Sequence, residues 1–564
     1  MSNLTRFENE QDYKKIPPQL LYEFRQVGPT DPIYIPEVAR NRKCTNIFCL
    51  LPVIIILVLW IVFAIMIMSN VETRVVVYGV DDCGNVCGMN NVKTIHQVEH
   101  CVPKDYTDYP LVFNRCIYEE YEDRFTPTLK ALHYYYTSWK IWLPFVAITI
   151  AGCILLFLAY RFFTAVTYWV FQMLTCALLV AYAGVFWYIT VARTIAIIFV
   201  AIGFTIYLIV YVSIIAFIIY TGRYKLIIGI IAEASIAVFK IPALLVVPLI
   251  SMLIVLLMYT ALSYIFVGYV LNAITIYYGE DFYLKTDYVD LTLAYHNPGV
   301  FFCYVFFASL GFYLVHAFIN GLQCMVVAGS VATYYFTKDK LTVSNTALVN
   351  SFYVTVRYHL GTVAAGSIVI TTLSATRGLT HLARYSIADD SVLLIACYYC
   401  LLCCICLLEE IAQYFAKRAY MMTAMHGKGL LDSGIRAARL LWHFLLDTVM
   451  VDAMAISALN TAGVWLYMTI LAFIPLFYVP DQLEFLLPMV LAMVLIGTTT
   501  FFYISILNVA VSTLFLCICE DKVMNNGSTS LPYFMSKSLA AVMIETEEMV
   551  KTKQEKRRHR FSEN

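Results

Sequence analysis

Residues 301–340 read FFCYVFFASLGFYLVHAFINGLQCMVVAGSVATYYFTKDK: a run from Phe301 to Phe336 without formal charge, stopped by Thr337-Lys338-Asp339-Lys340. As one helix the run measures roughly 54 Å at about 1.5 Å per residue, against a bilayer core of about 30 Å. The predicted helix therefore tilts strongly, kinks at Gly311 or Gly321, or continues past the membrane. A connector containing Ser, Thr and Asn follows, and then RYHLGTVAAG at residues 357–366. Ala328, Gly329 and Ser330 near the end of the run permit close helix approach. The pattern has the form of a span from a membrane carrier or channel. The long helix is the expected moving element, and residues 357–366 the piece it moves against.

Composition extends that reading to the whole chain. Of 564 residues 61% are hydrophobic and 13% charged, where soluble proteins run at about 45–50% and about 25%. The chain is a polytopic membrane protein. Its net charge of zero removes the electrostatic ground for nucleic-acid binding. The 42 Tyr and 36 Phe serve mainly as interfacial belts and helix packing, and the remainder are available to line a path for a cation. Cys397, Cys400, Cys403, Cys404 and Cys406 lie in an apolar segment and read as small buried hydrophobes. Cys400-Leu-Leu-Cys403 has metal-site spacing, but the membrane setting and the lack of paired His argue against metal. No metal or other cofactor is expected.

Along the chain, residues 1–45 form a polar, Pro-containing tail and the first helix falls within 46–69. A loop spans 70–140, a transport domain 141–519, and a C-terminal tail 520–564. Apolar spans are predicted at Ile47–Met68, Ile141–Tyr160, Thr164–Ile189, Thr194–Tyr220, Pro242–Leu271, Phe301–Phe336, Gly361–Leu373, Val392–Leu408, Met454–Tyr478 and Leu486–Cys519. Gly361–Leu373 is short and rich in Thr and Ser, so it either spans or is re-entrant. Ten all-α spans place both termini in the cytosol, with Arg223, Lys225, Lys338, Lys340 and the basic C-terminal tail inside. Arg193 and the pair Arg377 and Arg384 sit badly on the outer side of that scheme. The outer loop holds Cys83, Cys87, Cys101 and Cys116, enough for two disulfides in any of three pairings, and reads as a small stapled cap. Lys225–Lys240 and Leu430–Leu446 suit amphipathic helices on the inner membrane face or surface helices packed on protein.

Four blocks together resemble the choline transporter-like family of solute carriers. They are YGVDDCGNVCG at 78–88; VVAG at 326–329 leading into TYYFTKDK at 333–340; RYHLGTVAAG at 357–366; and Asp521 followed by NGST at 526–529 and PYFMSKSL at 532–539. Their order and spacing cover most of the chain. The resemblance implies a ten-span carrier of choline, and often ethanolamine, that supplies phospholipid synthesis, with exchange against protons as its coupling. It also implies a plasma membrane, with an internal membrane as the alternative. The chain departs from the family pattern where Cys83 stands for an aromatic residue, and its outer loop is short and free of Asn-x-Ser/Thr sequons.

A trimethylammonium group carries charge without an N–H, so ring faces and a diffuse negative field must hold it. Trp187, Tyr188, Tyr259, Tyr264 and Tyr304 are the ring candidates within or beside spans, although packing is the commoner role of any one ring. Trp187 ranks first because its Gly-Val-Phe-Trp run resembles the family's third span. His316, Asn320 and Gln323 recur at i, i+4 and i+7, one face of the long helix, and suit the substrate hydroxyl. Glu409 and Asp452 are candidates for ion or proton coupling, since ionisable groups in spans mark pathways. A helix-end carboxylate facing water is the plainer reading of both. Arg357, Tyr358 and His359 are expected to anchor an inner gate at headgroup level. An acyltransferase built on His316 and Asn320 lacks a nucleophile–base set, so no enzyme is expected. A non-transporting receptor or scaffold acting through the outer loop is the alternative function.

Overall fold

The computed structural model describes residues 42–70, 90, 105, 107, 111–112, 115–116, 139–190, 195–258, 298–383, 392–477, 486–525 and 532–562. These residues are almost entirely helical. A 3₁₀ turn (Ile47–Cys49) opens α1 (Leu50–Asn70). Then come α2 (Trp139–Phe162), α3 (Thr164–Thr190), α4 (Ile195–Thr221), α5 (Tyr224–Lys240) and α6 (Pro242–Met258). The long stretch quoted above is α7 (Pro298–Phe336). A short α8 (Thr346–Val354) runs through a π-helical turn (Thr355–His359) into α9 (Leu360–Ala383). After α10 (Val392–His426) and α11 (Leu430–His443), α12 (Leu445–Met450) passes through a second π turn (Val451–Ile456) into α13 (Ser457–Phe477). The chain closes with α14 (Leu486–Met524) and α15 (Lys537–Ser562). Among the described residues of the loop after α1, β1 (Leu111–Val112) pairs antiparallel with β2 (Arg115–Cys116), and Asn90 bridges Asp105.

Eight described helices are long and apolar enough to cross a bilayer, or nine if the bent pair α5–α6 is one span. The eight overlap eight of the ten predicted spans. Of the other two, the first is the helix α1 and the fifth is described only as far as Met258. Helix α14 is the axis of the bundle and α4 its periphery: 83% of the apolar window of α14 is buried against 11% for α4. Helices α2, α5, α7 and α13 pack around α14, and α9 and α10 close on the far side of α7.

Of three expectations, two need correction and one is narrowed. The seventh span is no short or re-entrant piece: helix runs from Thr346 to Ala383. Its hydroxyls satisfy themselves, Ser367 donating to Val363 O and Thr372, Thr376 and Thr380 each to the carbonyl four residues back, all at 2.8 Å. Polar content therefore did not end the helix. Second, α7 keeps helical hydrogen bonding through Gly311 and Gly321, and at 39 residues it extends roughly 58 Å. Third, Cys397, Cys400, Cys403 and Cys404 are exposed on the outer face of α10 rather than buried, and their thiols are free. The lipid supplies the apolar surroundings that the core was expected to give. Cys83, Cys87 and Cys101 lie outside the described residues, and of Cys116 only the backbone in β2 is described.

Candidate functional site

Helices α7, α9, α10, α13 and α14, with the second π turn, enclose a cavity of about 840 Å³ at mid-bundle. Tyr420 forms one wall by wedging between α7 and α9. Its hydroxyl donates to Val363 O at 3.2 Å. A Cβ added at Gly366 would fall 2.1 Å from that hydroxyl, and one at Gly321 would fall 3.1 Å from the ring. Glycine is thus required at 366 by close approach rather than by backbone conformation. Tyr313, Tyr414, Tyr467 and Phe501 add further rings, and Asn460 and Asn508 line the opposite side, Asn508 Nδ2 donating to Asn460 Oδ1 at 2.6 Å.

The charges of the cavity are arranged in pairs, with two exceptions. Glu409, 3% exposed, accepts from Ser374 Oγ at 2.6 Å and faces Arg377 Nη1 at 2.8 Å. Asp452 accepts from the Tyr414 hydroxyl at 2.6 Å and from Arg418 Nη2. The Arg418 guanidinium also lies 5.0 Å over the Tyr414 ring, so that ring face is already occupied by a cation. Asp452 stands within the second π turn. The Met454 carbonyl in that turn accepts from the Ser457 N–H and also from Gln172 Nε2 on α3, at 3.2 Å. The exceptions are Glu410 and Lys417. Both line the cavity, and among the described residues neither side chain has a hydrogen bond or ion pair. Glu410 is exposed, so a cation about 4 Å from its carboxylate gains roughly 1–4 kcal/mol, between the water and protein-surface limits.

The structure gathers some of the residues singled out from the sequence and disperses others. His316 and Asn320 line the cavity, as do Glu409 and Asp452. The His316 ring sits 6.3 and 6.1 Å from Phe501 and Phe502. Gln323 points instead to α14, donating to Phe502 O at 3.2 Å. Trp187 and Tyr188 are 45% and 82% exposed on the outer side of α3, away from the cavity, and Trp187 donates to Thr205 on α4 at 3.0 Å. Tyr259 and Tyr264 lie outside the described residues, and Tyr304 is described only as backbone of α7. Arg357, Tyr358 and His359 occupy the first π turn, away from the cavity. Sequence reasoning overlooked Tyr313, Tyr420, Tyr467, Phe501 and the Arg418–Asp452 pair. One signal was available: Arg377 violated the charge rule because it belongs to no outer loop. It lies on α9 and faces Glu409.

Both described terminal segments lie at one end of the bundle. Residues 42–46 clamp α9 to the junction of α10 and α11. Arg42 contacts His359 Nε2 at 3.0 Å and donates to Ala424 O at 2.8 Å. The Thr45 hydroxyl bonds His359 Nδ1 at 2.9 Å and Thr362 Oγ1 at 2.7 Å. Asn46, in the left-handed region at φ 52°, accepts from Leu430 N at 3.0 Å. Burial pulls the Arg42 guanidinium down to about 10. On the other side, Asp521 accepts from the Tyr335 hydroxyl and from Phe534 N, both at 2.8 Å. Glu233 on α5 accepts from the Tyr334 hydroxyl at 2.9 Å and from Ser536 at 2.8 Å. Helix α5 is therefore covered by protein, with Ile227, Ile230, Ile231, Glu233 and Ala234 buried. Lys340 donates to the carbonyls of Tyr334, at 2.8 Å, and Tyr335; burial depresses its ammonium to about 8, against an opposing pull from Glu233. Between the two terminal segments, Glu520 receives Arg436 through two bonds at 2.8 and 2.9 Å and His426 at 3.1 Å.

Residues 202–523 match the family model described as a plasma-membrane choline transporter. Choline transporter-like protein 1 of Torpedo marmorata is 29% identical over 257 residues, 43% of this chain and 38% of the relative. The rat protein of the same name is 31% identical over 244 residues, 41% of this chain and 36% of the relative. Choline transporter-like 2 of Drosophila melanogaster is 29% identical over 253 residues, covering 42% and 31%. The chain thus spans between about three and four tenths of the length of these curated relatives.

Proposed function

Because the chain belongs to the choline transporter-like family, we propose that it carries choline, or a related amino alcohol such as ethanolamine, across a plasma membrane through the mid-bundle cavity. The observation that carries this reading is the meeting of five rings with Glu410, a carboxylate without an internal partner among the described residues. Each ring face contributes about 0.5–2 kcal/mol to a quaternary ammonium. Three or four of them at the upper end of that range, about 1.5–2 kcal/mol each, reach the roughly 4–8 kcal/mol of a site between about 1 mM and 1 μM. Tyr313, Tyr467 and Phe501 serve as the ring wall, Glu410 as counter-charge, and His316 and Asn320 as partners of the hydroxyl. Proton exchange would run through Glu409 or Asp452, each of which would have to leave its arginine. Both termini lie in the cytosol on this reading, so the end of the bundle covered by residues 42–46 and 532–539 is the cytosolic gate in its closed state. Transport then supplies amino alcohol for phospholipid synthesis.

The test is uptake of labelled choline by purified full-length protein in liposomes. Saturable uptake, competed by unlabelled choline and by ethanolamine, is expected. Trp187→Ala should leave it intact, because Trp187 lies on the outer side of α3. Pure protein that shows no saturable uptake at any imposed choline or proton gradient overturns the reading.

A further inference from the structure

The last helix carries a surface that the cavity does not use. The first half of α15 lies along α5. A Cβ added at Gly229 would fall 3.2 Å from Val542, and one at Gly222 would fall 3.1 Å from Met549. Lys225 pairs with Glu545 at 2.5 Å between those points. That order makes α15 antiparallel to α5. Helix α5 in turn meets α6 at 95°, so with α6 crossing the bilayer, α5 and α15 run close to the membrane plane. Gly222 directly follows α4, the most peripheral of the candidate spans. Beyond Met549 the helix continues through residues 550–562, roughly 20 Å further. With α6 crossing the bilayer, this orientation carries the extension along the membrane surface beyond the end of α4. Its sequence at 551–560 is KTKQEKRRHR, six Lys or Arg against one Glu.

The geometry points to residues 550–562 as a docking surface for anionic lipid headgroups. Clusters of about four to eight Lys or Arg beside a span attract acidic leaflets, at about fivefold in affinity per charge near the surface. Position selects the partner. The chain as a whole carries no net charge, and this basic segment is held at the membrane edge by the packing of α15 on α5. The same helix begins at Ser536 and Lys537, beside the buried Glu233 and Asp521. A headgroup bound at its far end therefore stabilises the segment that covers the closed end of the bundle.

Amide hydrogen exchange of the full chain in lipid nanodiscs tests this, independently of whether choline is carried. In discs with about one third phosphatidylserine, amides of 550–562 should exchange at least about tenfold more slowly than in pure phosphatidylcholine. That protection should vanish near 0.5 M salt, where screening is nearly complete beyond about 4 Å. The variant K556Q/R557Q/R558Q/R560Q should lose most of the protection while α14 exchanges as before, which shows that the fold is intact. Equal exchange in neutral and acidic discs at low salt overturns the proposal. So does equal protection in neutral discs on adding soluble inositol hexakisphosphate, which would assign the surface to a free polyphosphate.

Discussion

Glu409 and Glu410 are neighbours in sequence, yet a step of about 100° around the helix turns one toward Arg377 and Ser374 on α9 and leaves the other without an internal partner. Their substitutions should separate function from stability. Glu410→Gln is expected to raise the KM for choline about tenfold or more, the loss of roughly 1.4 kcal/mol or more of attraction, with an unchanged melting temperature. Glu409→Gln should lower the melting temperature, since Arg377 loses its carboxylate and a hydrogen bond to a charged group is worth about 1.5–3 kcal/mol. Initial-rate uptake and thermal unfolding measured on both variants decide the matter; an equal effect of the two on KM would remove Glu410 from its assigned role. Lys340 makes a pH prediction. Its folded pKa is lowered from 10.5 to about 8, so between those values the unfolded chain holds a proton that the folded chain has released. Stability must therefore rise with pH through that window and carry the full cost of burying the charge below it. Lys340→Arg, whose guanidinium stays charged throughout, should flatten the rise in melting temperature between pH 8 and 10.

At the scale of elements, the clamp formed by 42–46 is a short extended segment doing what a helix contact does elsewhere. It is specified at Gly361, where an added Cβ would fall 2.4 Å from the Asn46 carbonyl oxygen, and at Gly429, where it would fall 2.8 Å from Asn46 Oδ1. Gly361→Ala is expected to expel the segment, costing about 1–3 kcal/mol as overpacking and releasing the backbone at Arg42 and the already exposed Lys43 for cleavage by trypsin. Resistance to trypsin equal to that of the parent protein would show that the contact relaxes at no cost. The sequence announced most helices here and missed their ends for a physical reason. Apolar length marks a span, but Thr346–Leu360 is mixed in polarity and stays helical because Thr355 and its neighbours bond within the helix. The direction in which a helix faces was less legible still. Helix α3 is apolar on nearly every side, so nothing in its pattern said that Trp187 points outward. Helix α7 carries His316 and Asn320 among apolar neighbours, and those two did identify the cavity side; Gln323, one turn further, found a backbone partner on α14 instead.

For the whole molecule, the cavity and the closed end are parts of one arrangement. The rings and charges of the cavity come from five helices far apart in sequence, which is why spacing alone revealed no site. The same helices α9, α10 and α14 continue to the end where His359, Met422 and Asp521 are fully buried. A substrate leaving toward that end must part α9 from the α10–α11 junction, and residues 42–46 bridge the two. Fixing that bridge should therefore stop transport without touching the site. The Thr45 and Thr362 hydroxyls lie 2.7 Å apart, so Thr45→Cys with Thr362→Cys, in a Cys44→Ser background, places two thiols within reach of a disulfide. In the oxidised protein choline should still raise the melting temperature, because a ligand that binds the folded state stabilises it whether or not it can cross. Uptake should fall at least about tenfold and return on reduction. If the cross-linked protein takes up choline at the rate of the reduced one, α9 does not separate from the clamp during transport, and the exit lies elsewhere in the bundle.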